Sequence, residues 1–434
     1  MLSLFIALVP AVQAPLSKDN PRWTPEVQVV ADVAPCVVYI ESSRPMQVGW
    51  TFGSPVYRDE VSSGSGVVIE KSGYIVTNFH VVGNDSRSIT VQFAADVDPN
   101  AKRYDAELVS QDAKDDLALL KIAGDREFPV VRRGISSDLH LGERVIAIGN
   151  PLQQKLTVST GIVSGLNRDL KIEGGSVPLH FTDLIQTDAA INRGNSGGPL
   201  LNILGELIGI NSAVNPYAEN MGYAIPVDRV EEVLRDQLLA PSSSRAWLGF
   251  EVDDTASMCI TRVTPDGPAA LQGMDVGYRL LAINGRSIAS SEDYRLLRLP
   301  LLPNQPVRVR VASAEGPREM VLTGWNRADG TTFERMGITV QNFAVGRGLQ
   351  WVKVDKVAKT GPATALGLKS GDVIASLRVL PNGQPWSTPS AEDLAGLVSG
   401  LEPGTEVRLE ILRDENADGR MQRDELYNGT LVLR

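Results

Sequence analysis

The sequence predicts a mainly β protein in two parts: a domain of many short strands, then two copies of a smaller α+β module. Three observations carry this. Between about residues 27 and 235, short apolar runs alternate with Gly, Asn and Asp turns. VDRVEEVLRDQLL (227–239) then switches to helical spacing and closes that region. Beyond it the chain resembles itself: DGPAALQGMDVGYRLLAING (266–285) matches TGPATALGLKSGDVIASL (360–377). A chain of 434 residues is in any case too long for one ordinary core.

The elements follow in order. MLSLFIALVPAVQAPLS carries no charged side chain and is too short and Pro-interrupted for a membrane span. It has the shape of the apolar part of a secretory signal, with VQA (Val12 to Ala14) as a cleavage site, although no Lys or Arg precedes it and Pro15 would follow the cut. Residues 1–17 are therefore expected to be an export signal, and the mature chain to lie in the periplasm or cell envelope without a membrane span. The strand runs include GVVI (66–69), YIVT (74–77), LALLKI (117–122), RVIAIG (144–149) and LIGINS (207–212). They place a β domain at 24–240, with PSSS (241–244) as a linker.

The repeat sets the rest. Aligning Gly267 with Gly361 also aligns Pro268 with Pro362, Gly273 with Gly367 and Gly277 with Gly371. Asn284-Gly285 and Asn382-Gly383 then mark turns. Ser290/Asp293 and Ser390/Asp393 open predicted helices as capping boxes. The modules are assigned to 245–325 and 333–434. Near the end, DENADGRMQRDE (414–425) fits a calcium-loop spacing: side-chain oxygens of Asp414, Asn416 and Asp418, the Arg420 carbonyl, Gln422 directly or through water, and both Glu425 oxygens. LEILR before it and TLVLR after it read as strands, so a polar hairpin insertion is the preferred reading and Ca²⁺ the alternative.

Composition narrows the chemistry. The net charge is −10 and no long Lys/Arg block occurs, so nucleic acid is not an expected partner. Two cysteines, Cys36 and Cys259, fall in different domains and supply no disulfide framework. NRGNSGGPL (192–200) is the informative stretch. Gly194, Gly197 and Gly198 surround Ser196, although glycine inside a folded segment is entropically unfavourable. A tight turn that aims backbone N–H groups beside a hydroxyl is the equipment of acyl transfer. A general base must come from His80, His140 or His180, the only histidines. His80, in TNFHVV, follows a strand; the other two have no comparable setting. Asp115 and Asp116 stand at the mouth of LALLKI and offer the carboxylate that would orient an imidazole.

TNFHVV, DLALLKI and GNSGGPL, in the order His, Asp, Ser, resemble the motifs of chymotrypsin-fold serine proteases. With two C-terminal repeats, the chain resembles the HtrA/Deg (high-temperature requirement) proteases from about residue 25 to its end. The resemblance implies a chymotrypsin-like double β-barrel followed by two PDZ domains, and a serine endopeptidase needing no cofactor for catalysis. It implies His80, Asp116 and Ser196 as the triad and the N–H groups of Gly194 and Ser196 as the oxyanion hole. Asn195 stands where digestive relatives carry Asp, so activation by zymogen cleavage is not expected; loops 47–60, 167–180 and 213–221 are the candidates for ordering the site. The residue six before the nucleophile is Ala190, which with Ile191, Ala213 and Val214 implies a modest apolar pocket.

The same resemblance makes WLGF (Trp247, Leu248, Gly249, Phe250) and RMGI (Arg335, Met336, Gly337, Ile338) the carboxylate loops of the PDZ modules, with C-terminal peptides bound at the first. It implies unfolded polypeptides as substrates and a homotrimer or larger cage. Two rival functions are a chaperone or scaffold that rarely cuts and a protease dedicated to one signalling substrate.

Overall fold

The computed structural model describes residues 18–51, 54–84, 86–94, 102–124, 126–150, 156–172, 179–192, 194–214, 220–253, 255, 257–346, 349–381, 383–387, 390–414 and 426–434. The chain divides into two compact units, Met1–Leu238 and Leu239–Arg434.

In the first unit six strands form a closed barrel: β1 (Val37–Thr51), β2 (Ser54–Glu70), β3 (Tyr74–Thr77), β4 (Ser88–Phe93), β5 (Arg103–Asp112) and β6 (Leu117–Ile122), paired in the order β1-β2-β3-β6-β5-β4. Closure pairs each strand on both sides within the barrel itself. Val38, Ile40, Val68, Ile75, Val91 and Leu120 fill it, and none is exposed to solvent. Phe128 stacks on Phe93 at 5.8 Å between ring centroids and meets Tyr104 edge-on at 5.6 Å. A short strand, β7 (Arg132–Arg133), leads to β8 (Arg144–Gly149), β9 (Thr157–Ile172), β10 (Leu179–Thr187), β11 (Pro199–Asn202), β12 (Glu206–Val214) and β13 (Gly222–Pro226). Their order is β11-β8-β9-β10-β13-β12, and a β11–β12 pairing closes this second barrel too, with β7 added in parallel to β12. Val145, Ala147, Val163, Ile185, Leu200 and Ile208 form its core.

The helical segment begins as expected at Val227, where Val227, Val230 and Val233 turn inward at three-residue spacing. It ends differently: from Leu234 to Leu238 it widens into a π turn that keeps Leu234 and Leu238 buried. Two expected loops are also largely strand. Residues 47–51 and 54–60 continue the β1/β2 hairpin, because β1 pairs with β4 only from Val38 to Ser43 and its outer half pairs with β2 alone. Residues 167–172 and 179–180 likewise extend β9 and β10.

Among the described residues the second unit contains two large cores, one around Ile260, Leu280, Val309 and Leu322, the other around Ile338, Val352, Leu377 and Val407, and a small cluster of Trp247, Phe333 and Ala358. The sequence repeat is a structural repeat. Gly267 and Gly361 each precede a short helix opened by proline (Pro268–Leu271 and Pro362–Leu366), and strands Arg279–Ile283 and Val373–Val379 follow. Gly273 and Gly367 share φ near +74° and +80°, and Gly277 and Gly371 share +89° and +100°. Left-handed backbone at matched positions explains why the repeat keeps glycine there. The capping box at Ser290/Asp293 is formed, with helix Ser291–Arg298 behind it. Ser390 accepts from the Asp393 N–H and caps helix Ala391–Ser399. Asn284 (φ +47°) and Gly285 (φ +80°) make the tight turn expected of Asn-Gly; Asn382 lies outside the described residues.

The two presumed carboxylate loops differ. In the first, Trp247 and Leu248 are buried and Gly249 has φ +80°. In the second, Arg335 and Met336 end helix Arg327–Met336, and Gly337 is its left-handed C-cap, donating its N–H to the Phe333 carbonyl. That N–H is therefore not free to hold a carboxylate. Met336 and Ile338 are fully buried, and the Arg335 guanidinium binds the carbonyls of Val398, Leu401 and Arg434. RMGI is a helix stop leading into a strand. Of the calcium-loop residues only Asp414 is described; Asn416, Asp418, Arg420, Gln422 and Glu425 lie outside the described residues. The strands on either side, Glu406–Leu412 and Leu426–Val432, pair from Leu412↔Leu426 to Glu406↔Val432, so the segment connects a hairpin.

Candidate active site

Both barrels contribute to one cluster of hydrogen bonds. In the first barrel β3 runs into a single helical turn, Phe79–Val82, that carries His80. Asp116 sits at the mouth of β6 with φ +54°, a left-handed conformation that Asp tolerates better than most residues. Its carbonyl accepts from the Phe79 N–H at 3.1 Å and from Asn78 Nδ2 at 3.0 Å, which ties the two turns together. Its carboxylate accepts from the His80 backbone N–H at 2.9 Å and lies 2.8 and 3.0 Å from His80 Nδ1. Ser212 Oγ in β12 donates to the same carboxylate at 2.8 Å.

Asp116 is 1% exposed, while the His80 side chain is 44% exposed. Burial works to lower the imidazole pKa, but the Asp116 hydrogen bond and charge outweigh it and leave His80 above its ordinary value. With Nδ1–H directed at the carboxylate, Nε2 is the nitrogen left to accept a proton. Asp115 is engaged elsewhere: Arg229 Nε and Nη2 grip its two oxygens at 2.9 and 2.7 Å. The geometry thus separates the two adjacent acids, Asp116 facing the histidine and Asp115 a structural arginine. His140 is exposed and the side chain of His180 lies outside the described residues.

Ser196 lies between β10 and β11, and its hydroxyl donates to the Ser212 carbonyl at 3.1 Å. Gly194 (φ +106°) and Gly197 (φ +82°) make the turn. At Gly197 a side chain is also excluded by space: a Cβ would lie 2.2 Å from the Ser65 carbonyl oxygen and 2.3 Å from Thr77 Oγ1. The N–H groups of Asn195, Gly197 and Gly198 donate to the carbonyls of Asn192, Asn211 and Asn195. Those of Gly194 and Ser196 have no such partner among the described residues.

Ser65, in β2, holds this turn from the other barrel. Its N–H donates to the Ser196 carbonyl at 2.8 Å and its hydroxyl to the Gly194 carbonyl at 2.5 Å, while the hydroxyl accepts from the Asn150 N–H at 2.8 Å. Asn195 is 2% exposed and donates to the Ala190 carbonyl at 3.3 Å. Of the expected pocket residues, Ala190 is exposed beside the nucleophile turn. Ile191 is instead 5% exposed within the second-barrel core, because its side chain packs over Gly222. Ala213 and Val214 pair with Tyr223 and Gly222 in β12, and their side chains lie outside the described residues.

Sequence reasoning missed Ser65 and Ser212. The SGSG run before GVVI was a weak pointer to Ser65; Ser212, at the end of LIGINS, gave none. No group of three His, Cys, Asp or Glu side chains among the described residues is arranged to hold a metal. Burial pushes the Cys36 thiol up to about 12, which makes it unreactive.

Comparison with known proteins agrees with this geometry. Residues 64–210 match a family model described as a trypsin-like peptidase domain. The DegP-like periplasmic serine endoprotease of Ectopseudomonas mendocina (strain ymp) is 32% identical over 395 residues, 83% of this chain and 79% of the relative. That of Halomonas elongata is 31% identical over 477 residues, 95% and 94% of the two chains. Among solved structures, the HtrA-type protease AlgW with decapeptide covers 69% of this chain and 98% of its own at 28% identity, with a TM-score of 0.41. No helix among the described residues is long and apolar enough to cross a bilayer. The chain belongs to the DegP-like family of periplasmic serine endoproteases, and it is an exported serine endopeptidase.

Proposed function

We propose that His80, Asp116 and Ser196 are the catalytic triad and that the protein degrades unfolded polypeptides. The observation that carries the triad is the shared anchoring by Ser212: its hydroxyl holds Asp116 and its carbonyl holds the Ser196 hydroxyl. For attack, Ser196 Oγ gives up that carbonyl and donates instead to His80 Nε2. His80 then takes the hydroxyl proton as Oγ attacks the scissile carbonyl, and returns it to the leaving amine. Water hydrolyses the acyl-enzyme by the same route in reverse. Asp116 orients the imidazole and stabilises its charged form. The N–H groups of Gly194 and Ser196, without backbone partners among the described residues, are the donors for the oxyanion.

The exposed Ala190 supports a pocket without a charge for Lys or Arg, hence cleavage after small apolar residues. We assign residues 245–325 and 333–434 to PDZ modules, on the repeat and on the matching helices behind Ser290 and Ser390. Peptide capture belongs to the first, since Gly337 in the second uses its N–H internally. The family resemblance further supports a homotrimer or larger cage, which light scattering of the purified protein measures. Catalysis by this class needs no cofactor. Residues 414–425 are read as a polar hairpin connection, and titration of the full chain with Ca²⁺ discriminates the calcium alternative.

The test uses casein and a folded protein of similar size. Wild type should cut casein and spare the folded one, and Ser196→Ala should bind casein without cutting it. Ordinary turnover by Ser196→Ala would refute the nucleophile. Binding of casein with negligible cleavage by the wild type would favour the chaperone reading.

A further inference from the structure

The turn that carries Asp116 is held from outside its own barrel. β5 and β6 meet through residues 113–116, and Asp115 directly precedes Asp116. Within the turn, the Asp112 carboxylate accepts from the Asp115 N–H at 2.9 Å. From outside it, Arg229 grips both carboxylate oxygens of Asp115; the arginine side chain is 33% exposed and the aspartate 18%. A guanidinium joined to a carboxylate by two bonds fixes orientation as well as distance.

Arg229 stands on helix Val227–Val233, which packs on β12 and β13 of the second barrel. The Asp228 carboxylate accepts from the N–H groups of Ser136 and Ser137 at 3.2 and 2.9 Å, and the Asp228 N–H donates to Ser136 Oγ at 3.0 Å. Glu232 accepts from Arg229 Nη1 at 2.6 Å, so the guanidinium is held between two acids. Further along the same segment, the Leu238 carbonyl accepts from Ser110 Oγ of β5 at 2.7 Å. The closing helical segment of the second barrel thus reaches β5 and the turn after it at two points.

An ion pair as exposed as this one contributes little to stability. Its placement matters more. Asp116 has left-handed backbone (φ +54°), which a residue with a side chain keeps only where its surroundings fix it. Its Cα is about 3.8 Å from that of Asp115, so a turn released at Asp115 can relax at Asp116. We propose that Arg229 and Asp115 are a positioning pair for peptide hydrolysis: their bridge locks the turn that aims Asp116 at His80. The proposal rests on reading Asp116 as the triad acid. Neither residue of the pair touches substrate, and both act through Asp116.

The test uses the full chain and a short apolar peptide, well below each variant's melting temperature. Arg229→Met, which keeps an apolar stem and loses the donors, is compared with Asp115→Ala, the double variant and Asp116→Asn. Each bridge variant should lose at least about tenfold in kcat with KM within about twofold, since a small misplacement of a catalytic group is costly. The double variant should lose no more than either single one, because both break the same bridge. It also separates position from charge. Removing Arg229 alone favours the charged imidazole and removing Asp115 alone disfavours it, whereas in the double variant the two changes offset. Asp116 raises the His80 pKa, so a loosened Asp116 should move the double variant's kcat/KM midpoint to lower pH than in wild type. A wild-type midpoint with kcat within about threefold in the double variant overturns the proposal, even if the melting temperature falls. So do losses that multiply in the double variant, which give the two residues separate roles. Where one single variant does not fold, the other single and the double variant decide. If Asp116→Asn keeps wild-type kcat, the triad reading fails and this proposal with it. If Asp116→Asn is inactive while the bridge variants work normally, only the bridge is refuted.

Discussion

Ser65→Ala tests whether the nucleophile turn is held by the opposite barrel. The substitution removes two hydrogen bonds and changes no charge. One leaves the Asn150 N–H, in a residue 1% exposed, without its acceptor. The other frees the carbonyl of Gly194, which is only partly buried. A buried donor left unmade costs about 1–3 kcal/mol, and the second bond less because water can replace it, so about 2–3 kcal/mol of stability is at stake. For a unit of this size that lowers Tm by roughly 4–10 °C. The catalytic effect is separate. The Gly194 carbonyl shares its peptide plane with the Asn195 N–H, which donates to the Asn192 carbonyl, so losing the Ser65 anchor loosens the turn that fixes the Gly194 backbone and with it the proposed oxyanion donor. Loss of one such donor reduces kcat by about 10²–10³. Steady-state kinetics on a short apolar peptide, well below the variant's Tm, should show that fall in kcat with KM within about twofold. A kcat within about threefold of wild type, despite the lower Tm, would refute the positioning role and leave Ser65 as a packing residue.

Further outcomes follow from the same geometry. Asp116→Asn places an NH₂ group where His80 Nδ1 needs an acceptor, forcing the proton onto Nε2; kcat should fall about 10⁴-fold. Because His80 is raised above 6.5 by Asp116 and works only when neutral, kcat/KM should climb with pH through a midpoint above 6.5. A midpoint below 6.5 in the wild type contradicts the coupling. Mass-spectrometric mapping of cuts in a denatured protein should find Val, Ala or Leu before the cleaved bond, and a majority after Lys or Arg would show that Ala190 does not define the pocket.

The fold and the triad candidates were readable because each depends on local sequence. Strand runs such as YIVT and RVIAIG are continuous apolar segments that became buried strands. The glycines around Ser196 announced special backbone geometry, although the crowding of Gly197 by Ser65 and Thr77 arises only in the fold. Ser212 was not readable and Ser65 only weakly, through its flanking glycines; both acquire a role only when the barrels bring them to Gly194 and Asp116. The β1/β2 extension was missed because its outer half is polar and exposed, so its sequence resembles a loop while its backbone pairs are satisfied. RMGI is ambiguous for a different reason. A Gly after an apolar residue marks a helix C-cap as well as a carboxylate loop, and only the hydrogen bond to Phe333 tells them apart.

The bonds of the active cluster run from one closed barrel to the other. His80, Asp116 and Ser65 belong to the first, Ser196 and Ser212 to the second. On the proposed reading that unfolded chains are its substrates, the enzyme's own damaged copies are among them. With its chemistry split across two cores, a copy that begins to lose either one disarms before it becomes a loose chain with a working nucleophile. Injured molecules become prey for intact neighbours without becoming predators themselves.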